Sequence, residues 1–94
     1  MFYVYVLFEV ETRKKYIGYT SNLKRRVSSH YQGLGCKTTS SGKWKLVYYE
    51  AYLGEQDARR REKRLKSGNA RRQLYERIAD SVEMGETSER EARD

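Results

Sequence analysis

Hydrophobic residues early in the chain follow a pattern typical of β-strands. Residues 2–8 (FYVYVLF) are aromatic or aliphatic throughout, which is typical of a central strand covered on both faces. Residues 15–19 (KYIGY) and 44–52 (WKLVYYEAY) have the length and aromatic content of two further strands. Alternation gives the first strand two faces: Phe2, Val4, Val6 and Phe8 on one, and Tyr3, Tyr5 and Leu7 on the other.

The second predicted strand contains a glycine, Gly18. Glycine weakens the interior of a strand unless another group has to come close at that point. Because side chains alternate along a strand, Gly18 shares its face with Tyr16. The sequence therefore predicts that some other group approaches closely beside Tyr16.

Helical periodicity begins after the second strand. From Leu23 onward, apolar residues recur at helical spacing and predict an amphipathic helix over about residues 22–32. Arg26 and His30 are four residues apart, at or beside the apolar edge of this helix. A basic residue that faces inward needs a partner, and an anion is one candidate.

Two more helices are predicted over about residues 55–66 and 69–79. The first is nearly a run of cations, and its few apolar residues are Ala58 and Leu65. Glu62 falls between them on the same stripe. A carboxylate in that position is costly to bury unless it pairs with a cation or coordinates a metal. The pattern alone leaves both explanations open, because the same helix offers several arginines as partners.

These elements together predict the fold class. We expect an α+β domain over residues 1–79, with a three-stranded antiparallel sheet flanked by helices in the order β-β-α-β-α-α. Residues 80–94 carry six acidic and two basic residues and few apolar ones. Such a composition cannot bury enough apolar surface to fold, so we expect a disordered acidic tail.

Charge points to a polyanionic partner. The net charge of the 94 residues is +7, and because the acidic tail contributes −4, residues 1–79 carry +11. A surplus of this size on a small body attracts phosphate backbones. Residues 32–43 are rich in Gly, Ser and Thr, and we predict a loop that presents Lys37 and Lys43 to phosphate.

Cysteine and histidine usage excludes several classes of site. Cys36 is the only cysteine and His30 the only histidine, so the chain cannot build a disulfide framework, a cysteine-rich zinc site or a multi-histidine metal centre. A single cysteine fits a reducing compartment, and we expect a cytoplasmic protein. The apolar start of the chain is too short to span a bilayer, and it lacks the pattern of a secretory signal.

The order of these motifs resembles the GIY-YIG nuclease domain. YVY at residues 3–5 and YIG at residues 16–18 stand on the first two strands. A helix with Arg26 and His30 follows, then a strand, and then a helix with Glu62. The set as a whole is specific, and it looks most like the small stand-alone bacterial members of the family.

The resemblance extends over about residues 2–77, with two departures. The first tripeptide is YVY rather than Gly-Ile-Tyr, which leaves its tyrosine in place. Many family nucleases carry an asparagine late in the domain, after the helix with the metal ligand. Here Asn69 comes too soon after Glu62, and Leu74 lies nearer the expected place.

The resemblance implies catalytic roles for five residues. It makes Tyr5 and Tyr16 the paired active-site tyrosines, with Tyr5 beside the attacking water. It makes Arg26 the phosphate contact, His30 a group that transfers or positions a proton, and Glu62 the ligand of Mg²⁺ or Mn²⁺. One carboxylate can suffice, because Mg²⁺ often keeps several waters and binds substrate phosphate. The positions expected to approach nucleic acid are Gly18, Arg25, Arg26, Lys37 and Lys43.

The function implied is a metal-dependent endonuclease that hydrolyses phosphodiester bonds, with DNA favoured over RNA as the partner. With no appended recognition domain, we expect structure-selective or weakly sequence-specific cutting, at branched, damaged or single-stranded sites. Cutting both strands would require a protein partner or a homodimer. The alternative from another class is a non-catalytic nucleic-acid-binding module that keeps the fold and the basic surface.

Overall fold

The structure, a computed structural model, describes residues 1–31 and 42–84. Its elements follow the predicted order β-β-α-β-α-α. None of the helices in these two ranges has the length and apolar character needed to cross a bilayer. The strands and helices are β1 (Phe2–Glu9), β2 (Lys15–Thr20), α1 (Leu23–Tyr31), β3 (Trp44–Tyr52), α2 (Glu55–Leu65) and α3 (Gly68–Arg77).

The three strands form one antiparallel sheet in the order β2-β1-β3. β1 is therefore the central strand, as its continuous apolar sequence predicts. In this register Tyr5 lies opposite Gly18 on β2 and opposite Tyr49 on β3. β2 is an edge strand, so one row of its backbone groups faces away from the sheet.

Each face of the sheet has its own apolar cluster, and the predicted alternation of β1 is confirmed. On one face, Val4, Val6 and Phe8 pack with Ala58 and Leu65 of α2 and with apolar residues of α3. On the other face, Tyr5, Leu7 and Trp44 pack with Tyr16, Leu46 and Leu23, the last from α1. The sheet therefore separates α1 from α2 and α3, and Tyr5 lies on the α1 side.

The apolar core continues into the segment expected to be an acidic tail. Residues 79–84 are helical, and Val82 is only 6% exposed. Leu74, Ile78 and Val82 are four residues apart, so they continue one apolar stripe onto the same core cluster. The folded region thus runs beyond residue 79, and residues 85–94 lie outside the described part of the chain.

Glu9 ends β1 inside the protein, although its polar character predicts a place in the connection between β1 and β2. It is 4% exposed, and its carboxylate accepts hydrogen bonds from Thr12 Oγ1 at 2.6 Å and from the backbone N–H of Lys43 at 2.9 Å. Burial raises the pKa of Glu9, but the hydrogen bonds outweigh it and lower the pKa to about 2. The carboxylate thereby joins the β1–β2 turn to the start of β3.

Candidate active site

Tyr5 lies at the centre of the α1 side of the sheet and is 1% exposed. Its ring covers Gly18 on the neighbouring strand. A Cβ atom added at Gly18 would lie 2.4 Å from Tyr5 Oη and 2.5 Å from Tyr5 Cζ. The close approach predicted at this glycine is therefore made by the Tyr5 ring, which fills the space that a side chain would take.

Tyr16 lies beside Tyr5 on the same face of the sheet. The two ring centroids are 6.3 Å apart, and the ring planes are inclined at 46°. The same added Cβ at Gly18 would lie 3.0 Å from Tyr16 Cε1. One glycine thus allows two tyrosines to share a small area of the sheet, and the second of them reaches the free edge at β2.

Glu62 lies on α2 between Ala58 and Leu65, both of which are fully buried. Its own side chain is 27% exposed, so the carboxylate lies at the margin of the packed face rather than within it. Among the described contacts, its partner is a lysine, because Lys66 Nζ is 3.5 Å from Glu62 Oε2. The expected alternative of an ion pair with a neighbouring arginine is not what the structure shows.

Lys66 connects Glu62 to the tyrosine side of the sheet, and the sequence analysis did not identify it. Its ammonium group donates a hydrogen bond to the backbone carbonyl of Ile17 on the edge strand β2. The same group lies 5.0 Å from the centroid of the Tyr16 ring, within the range of a cation–π contact. The Lys66 ammonium therefore links Glu62 on α2 with Tyr16 and with the edge strand β2.

A second feature that sequence reasoning missed is a carboxylate cluster around Glu50 on β3. Its side chain is 13% exposed, and its carboxylate accepts hydrogen bonds from Arg61 Nε at 2.9 Å and from Arg61 Nη2 at 3.0 Å. The hydroxyl of Tyr48 donates to it at 2.6 Å, and that of Tyr52 also donates. The paired geometry of a guanidinium and a carboxylate ties α2 firmly to β3. It thereby fixes the helix that carries Glu62.

The electrostatics of this cluster are set by competing effects. Burial raises the pKa of Glu50, but the hydrogen bonds from Arg61, Tyr48 and Tyr52 outweigh it and lower the pKa below its ordinary value. Burial and the neighbouring carboxylate raise the pKa of both tyrosines to about 12. Glu50 therefore stays ionised and the two tyrosines stay protonated, which suits a structural clamp.

The predicted basic residues occupy the surface around this region. Arg26 is exposed on α1, on the same side of the sheet as Tyr5. It was expected at or beside the apolar edge, but among the residues whose burial is described, Leu23 and Val27 are half-buried on that stripe while Arg26 is exposed. Arg25 is also exposed, and its backbone N–H donates to Asn22 Oδ1 at 3.1 Å, which caps the start of α1.

The remaining predicted contacts are only partly within the described structure. Lys43 is exposed, and its Nζ lies 3.9 Å from Glu11 Oε1. His30 lies in the last turn of α1, but its side chain is outside the described part of the chain, as is the whole of Lys37. These assignments stay predictions.

The tyrosines of β3 divide into two groups. Tyr48 and Tyr52 pack against the core cluster on the α2 side and also bind Glu50. Tyr49 lies on the opposite face of the sheet and is 53% exposed. It meets Tyr3 edge-on, with ring centroids 6.0 Å apart.

The donor set fits a cation held by one carboxylate. Among residues 1–31 and 42–84, no group of three or more His, Cys, Asp or Glu side chains could enclose a metal. Glu62 is partly accessible, and its contact with Lys66 uses a single oxygen, Oε2. Because Mg²⁺ is commonly bound through one or two carboxylates plus water and phosphate, Glu62 is sufficient for that mode of binding.

Comparison with known proteins shows the family. A family model described as the GIY-YIG catalytic domain matches residues 1–76. The chain belongs to the GIY-YIG family. A GIY-YIG domain is a nuclease domain, so membership implies a nucleic acid substrate.

Several relatives are small bacterial proteins described as UPF0213 proteins. The chain is 40% identical over 63 residues to one from Clostridium perfringens, a match that covers 66% of this chain and 67% of that protein. It is 43% identical over 60 residues to one from Pediococcus acidilactici, covering 61% of this chain and 60% of that protein. The solution NMR structure of a UPF0213 protein from Bacillus halodurans has 31% identity, a TM-score of 0.53 and coverage of 94% of both chains.

Proposed function

We propose that this GIY-YIG protein is a metal-dependent endonuclease that hydrolyses phosphodiester bonds in DNA. The observation that carries the proposal is the set of contacts made by Lys66. Its ammonium joins Glu62, the one candidate metal ligand, to Tyr16 and to the edge of β2. Through Lys66, a carboxylate on α2 is thereby linked to Tyr16 on the edge strand, and Tyr16 lies beside Tyr5.

Glu62 would hold Mg²⁺ or Mn²⁺ at the sheet edge. When bound, the cation would neutralise charge on the phosphate and make a water molecule more acidic. Tyr5 is the group we assign to receive the proton of the attacking water, which requires that its hydroxyl first loses its own proton to solvent, so that the phenolate oxygen accepts the proton and the phenol is restored. His30 would support or relay that transfer. Tyr16, between Tyr5 and Lys66, orients the water from the other side.

Arg26 is the proposed phosphate contact. It is exposed on α1, the helix on the Tyr5 side of the sheet, and a guanidinium can grip two phosphate oxygens at once. Arg25, Lys37 and Lys43 would add positive charge along the path of the backbone. Such contacts are independent of base sequence, which favours weakly specific or structure-selective cutting. A protein partner or a second copy of the chain would be required to cut both strands.

Lys66 acts on Glu62 as a positioning residue. The ammonium neutralises the carboxylate and holds it near Tyr16, while the hydrogen bond to the Ile17 carbonyl anchors the ammonium to the sheet. Substrate phosphate arriving at this edge would meet a group of fixed geometry. Preorganisation of this kind is worth more to catalysis than the small stability that an exposed ion pair provides.

Cleavage assays with two matched variants test the proposal. The wild-type protein is incubated with plasmid, single-stranded and branched DNA, with Mg²⁺, Mn²⁺ or a chelator. Glu62→Gln removes the candidate ligand with little change in size, and Glu55→Gln removes another carboxylate of α2, one that pairs with Arg59 on the surface. We expect metal-dependent nicking by the wild type and by Glu55→Gln, and loss of nicking in Glu62→Gln.

Two results would overturn the assignment. Nicking that survives Glu62→Gln would show that the carboxylate is not the metal ligand. Binding of DNA by the folded wild type, without nicking in either metal, would favour the non-catalytic nucleic-acid-binding module instead. Circular dichroism spectra of all three proteins show whether each is folded.

A further inference from the structure

An apolar groove opens on the α1 side of the sheet, next to the candidate active site. Its volume is about 440 Å³, within the range of roughly 300–1,000 Å³ typical of small-molecule sites. Its lining is mostly apolar, with a lysine at the rim. The residues that define this groove are Tyr3, Leu23, Val27, Leu46 and Tyr49, with Lys24 and Ser28.

The sheet register places the apolar groove one strand from Tyr5 and two strands from Tyr16. Tyr49 on β3 is the direct cross-strand partner of Tyr5 on β1, and opposed residues of neighbouring strands have Cβ atoms about 5 Å apart. Both side chains project on the same face of the sheet. A ligand in the groove would therefore lie next to Tyr5 on its β3 side, with Tyr5 between the groove and the β2 edge proposed for the cation.

Tyr49 is the most unusual member of the groove, because it is a large ring that is 53% exposed. Tyr3 meets it edge-on at 6.0 Å, so one side of the ring is supported while much of its surface remains in solvent. An exposed aromatic ring held by a second ring provides a platform for stacking. It contributes less to the core than its size would allow.

A polar groove adjoins the apolar one across α1. It is lined by Asn22, Arg25 and Ser29 and shares Lys24 and Ser28 with the apolar groove. Lys24, Arg25 and Arg26 are all exposed and follow one another along the helix. An apolar recess thus lies directly beside a cationic, hydrogen-bonding surface. This arrangement matches the two halves of a nucleotide, a flat base and an anionic phosphate.

We propose that the apolar groove binds one unpaired nucleobase of the substrate, stacked on Tyr49, while the adjacent phosphate contacts Lys24 and Arg25. The ligand class is single-stranded nucleic acid or a strand whose base is turned out of a duplex. Such a subsite gives a preference for unpaired over paired substrate without reading base identity, because every base has a face that can stack. The inference rests on the proposed function only in taking nucleic acid as the ligand.

Binding measured in the presence of a chelator tests the subsite separately from catalysis. Dissociation constants are determined for the full chain with a single-stranded oligonucleotide, an abasic strand of the same length, and a blunt duplex. The variants are Tyr49→Ala, which removes the ring, and Tyr49→Phe, which keeps it. Leu53→Ala is the control, because Leu53 is another exposed apolar residue, at 86% exposure, and lies outside the groove.

The expected results follow from the stacking of one base. Tyr49→Ala should weaken single-strand binding by about tenfold, since stacking on an aromatic residue contributes roughly 1–3 kcal/mol per base. Its affinity for the duplex and for the abasic strand should stay at the wild-type value. Tyr49→Phe and Leu53→Ala should bind all three ligands as the wild type does.

Three results would overturn the subsite. In the first, Tyr49→Ala binds the intact single strand as tightly as the wild type does. In the second, Tyr49→Ala loses as much affinity for the duplex and for the abasic strand as it loses for the intact single strand. In the third, Tyr49→Phe is as weak as Tyr49→Ala. Failure of the subsite proposal can be distinguished from failure of the nuclease proposal. A protein that binds unpaired bases through Tyr49 but does not cut DNA would support the subsite and contradict only the catalytic assignment.

Discussion

Gly18 offers the sharpest test of how the two tyrosines are held. In Gly18→Ala the new Cβ would lie 2.4 Å from Tyr5 Oη and 2.5 Å from Tyr5 Cζ, whereas unstrained carbon contacts are about 3.5–4.0 Å. The ring would have to move by about 1 Å. Because Tyr5 is 1% exposed and packed against Leu7 and Trp44, its neighbours would have to move with it.

Overpacking of this kind costs about 1–3 kcal/mol of folding free energy. For a domain of this size, each 1 kcal/mol lowers Tm by about 4–8 °C. Displacement of a catalytic group by about 1 Å also lowers the rate of the chemical step, by up to about a hundredfold. We therefore expect Gly18→Ala to fold with a Tm at least about 4 °C below the wild type and to lose most of its nuclease activity.

A second background separates the clash from other effects of the substitution. Tyr5→Leu ends before the position of the Tyr5 Cζ and Oη atoms, so adding Gly18→Ala to it should cost little, or even stabilise, since alanine is more favourable than glycine within a strand. Urea or thermal unfolding of the wild type, the two single variants and the double variant gives the coupling energy. If Gly18→Ala costs the same free energy in both backgrounds, the contact with the tyrosine ring is not what excludes a side chain at position 18.

Two further perturbations follow from the contacts of Lys66 and Glu9. Lys66→Met should lower the nuclease rate by about tenfold or more, because Glu62 would lose its anchor beside Tyr16. Its unfolding free energy should change by less than about 1 kcal/mol. Lys63→Met, on the exposed side of the same helix, serves as the control, and equal rates in the two variants would contradict the positioning role. Glu9→Gln tests the stability of the fold in acid. The pKa of Glu9 in the folded protein is about 2, below its ordinary value of 4.5. The ionised carboxylate therefore contributes stability above about pH 4.5, and this contribution is lost as the pH falls toward about 2. Denaturant unfolding over that range should show a weaker pH dependence for Glu9→Gln than for the wild type, and parallel curves would refute this reasoning.

Local pattern was enough to predict the architecture. The continuous apolar run of β1 placed it at the centre of the sheet, and the period of two assigned Tyr5 and Val4 to opposite faces, as observed. Periodicity in α2 likewise put Ala58 and Leu65 in the core with Glu62 on the same stripe. These predictions hold because the direction of a side chain depends mainly on the local backbone period. The acidic composition after residue 79 favoured a disordered tail, because composition does not take account of spacing. The spacing of four residues from Ile78 is what places Val82 in the core.

Choice of partners could not be predicted in the same way. Several arginines of α2 were equivalent candidates for Glu62, yet Arg61 binds Glu50 on β3, and Glu62 is met by Lys66. The spacing of four residues between Glu62 and Lys66 was visible in the sequence. The contact that supports a positioning role for Lys66 was not visible there, because its hydrogen bond to the Ile17 carbonyl joins residues 49 positions apart.

The sequence by itself therefore identified the candidate residues of the proposed nuclease site: two tyrosines on consecutive predicted strands, a glycine on the same face as the second tyrosine, and Glu62 on the apolar stripe of a basic helix. Only the tertiary structure decided how they meet. Packing α2 across the sheet brings its last turn to the edge of β2, and the strand register puts the exposed ring of Tyr49 beside Tyr5. The physical reason is that periodicity acts over a few residues, whereas contacts between elements depend on how whole helices and strands pack.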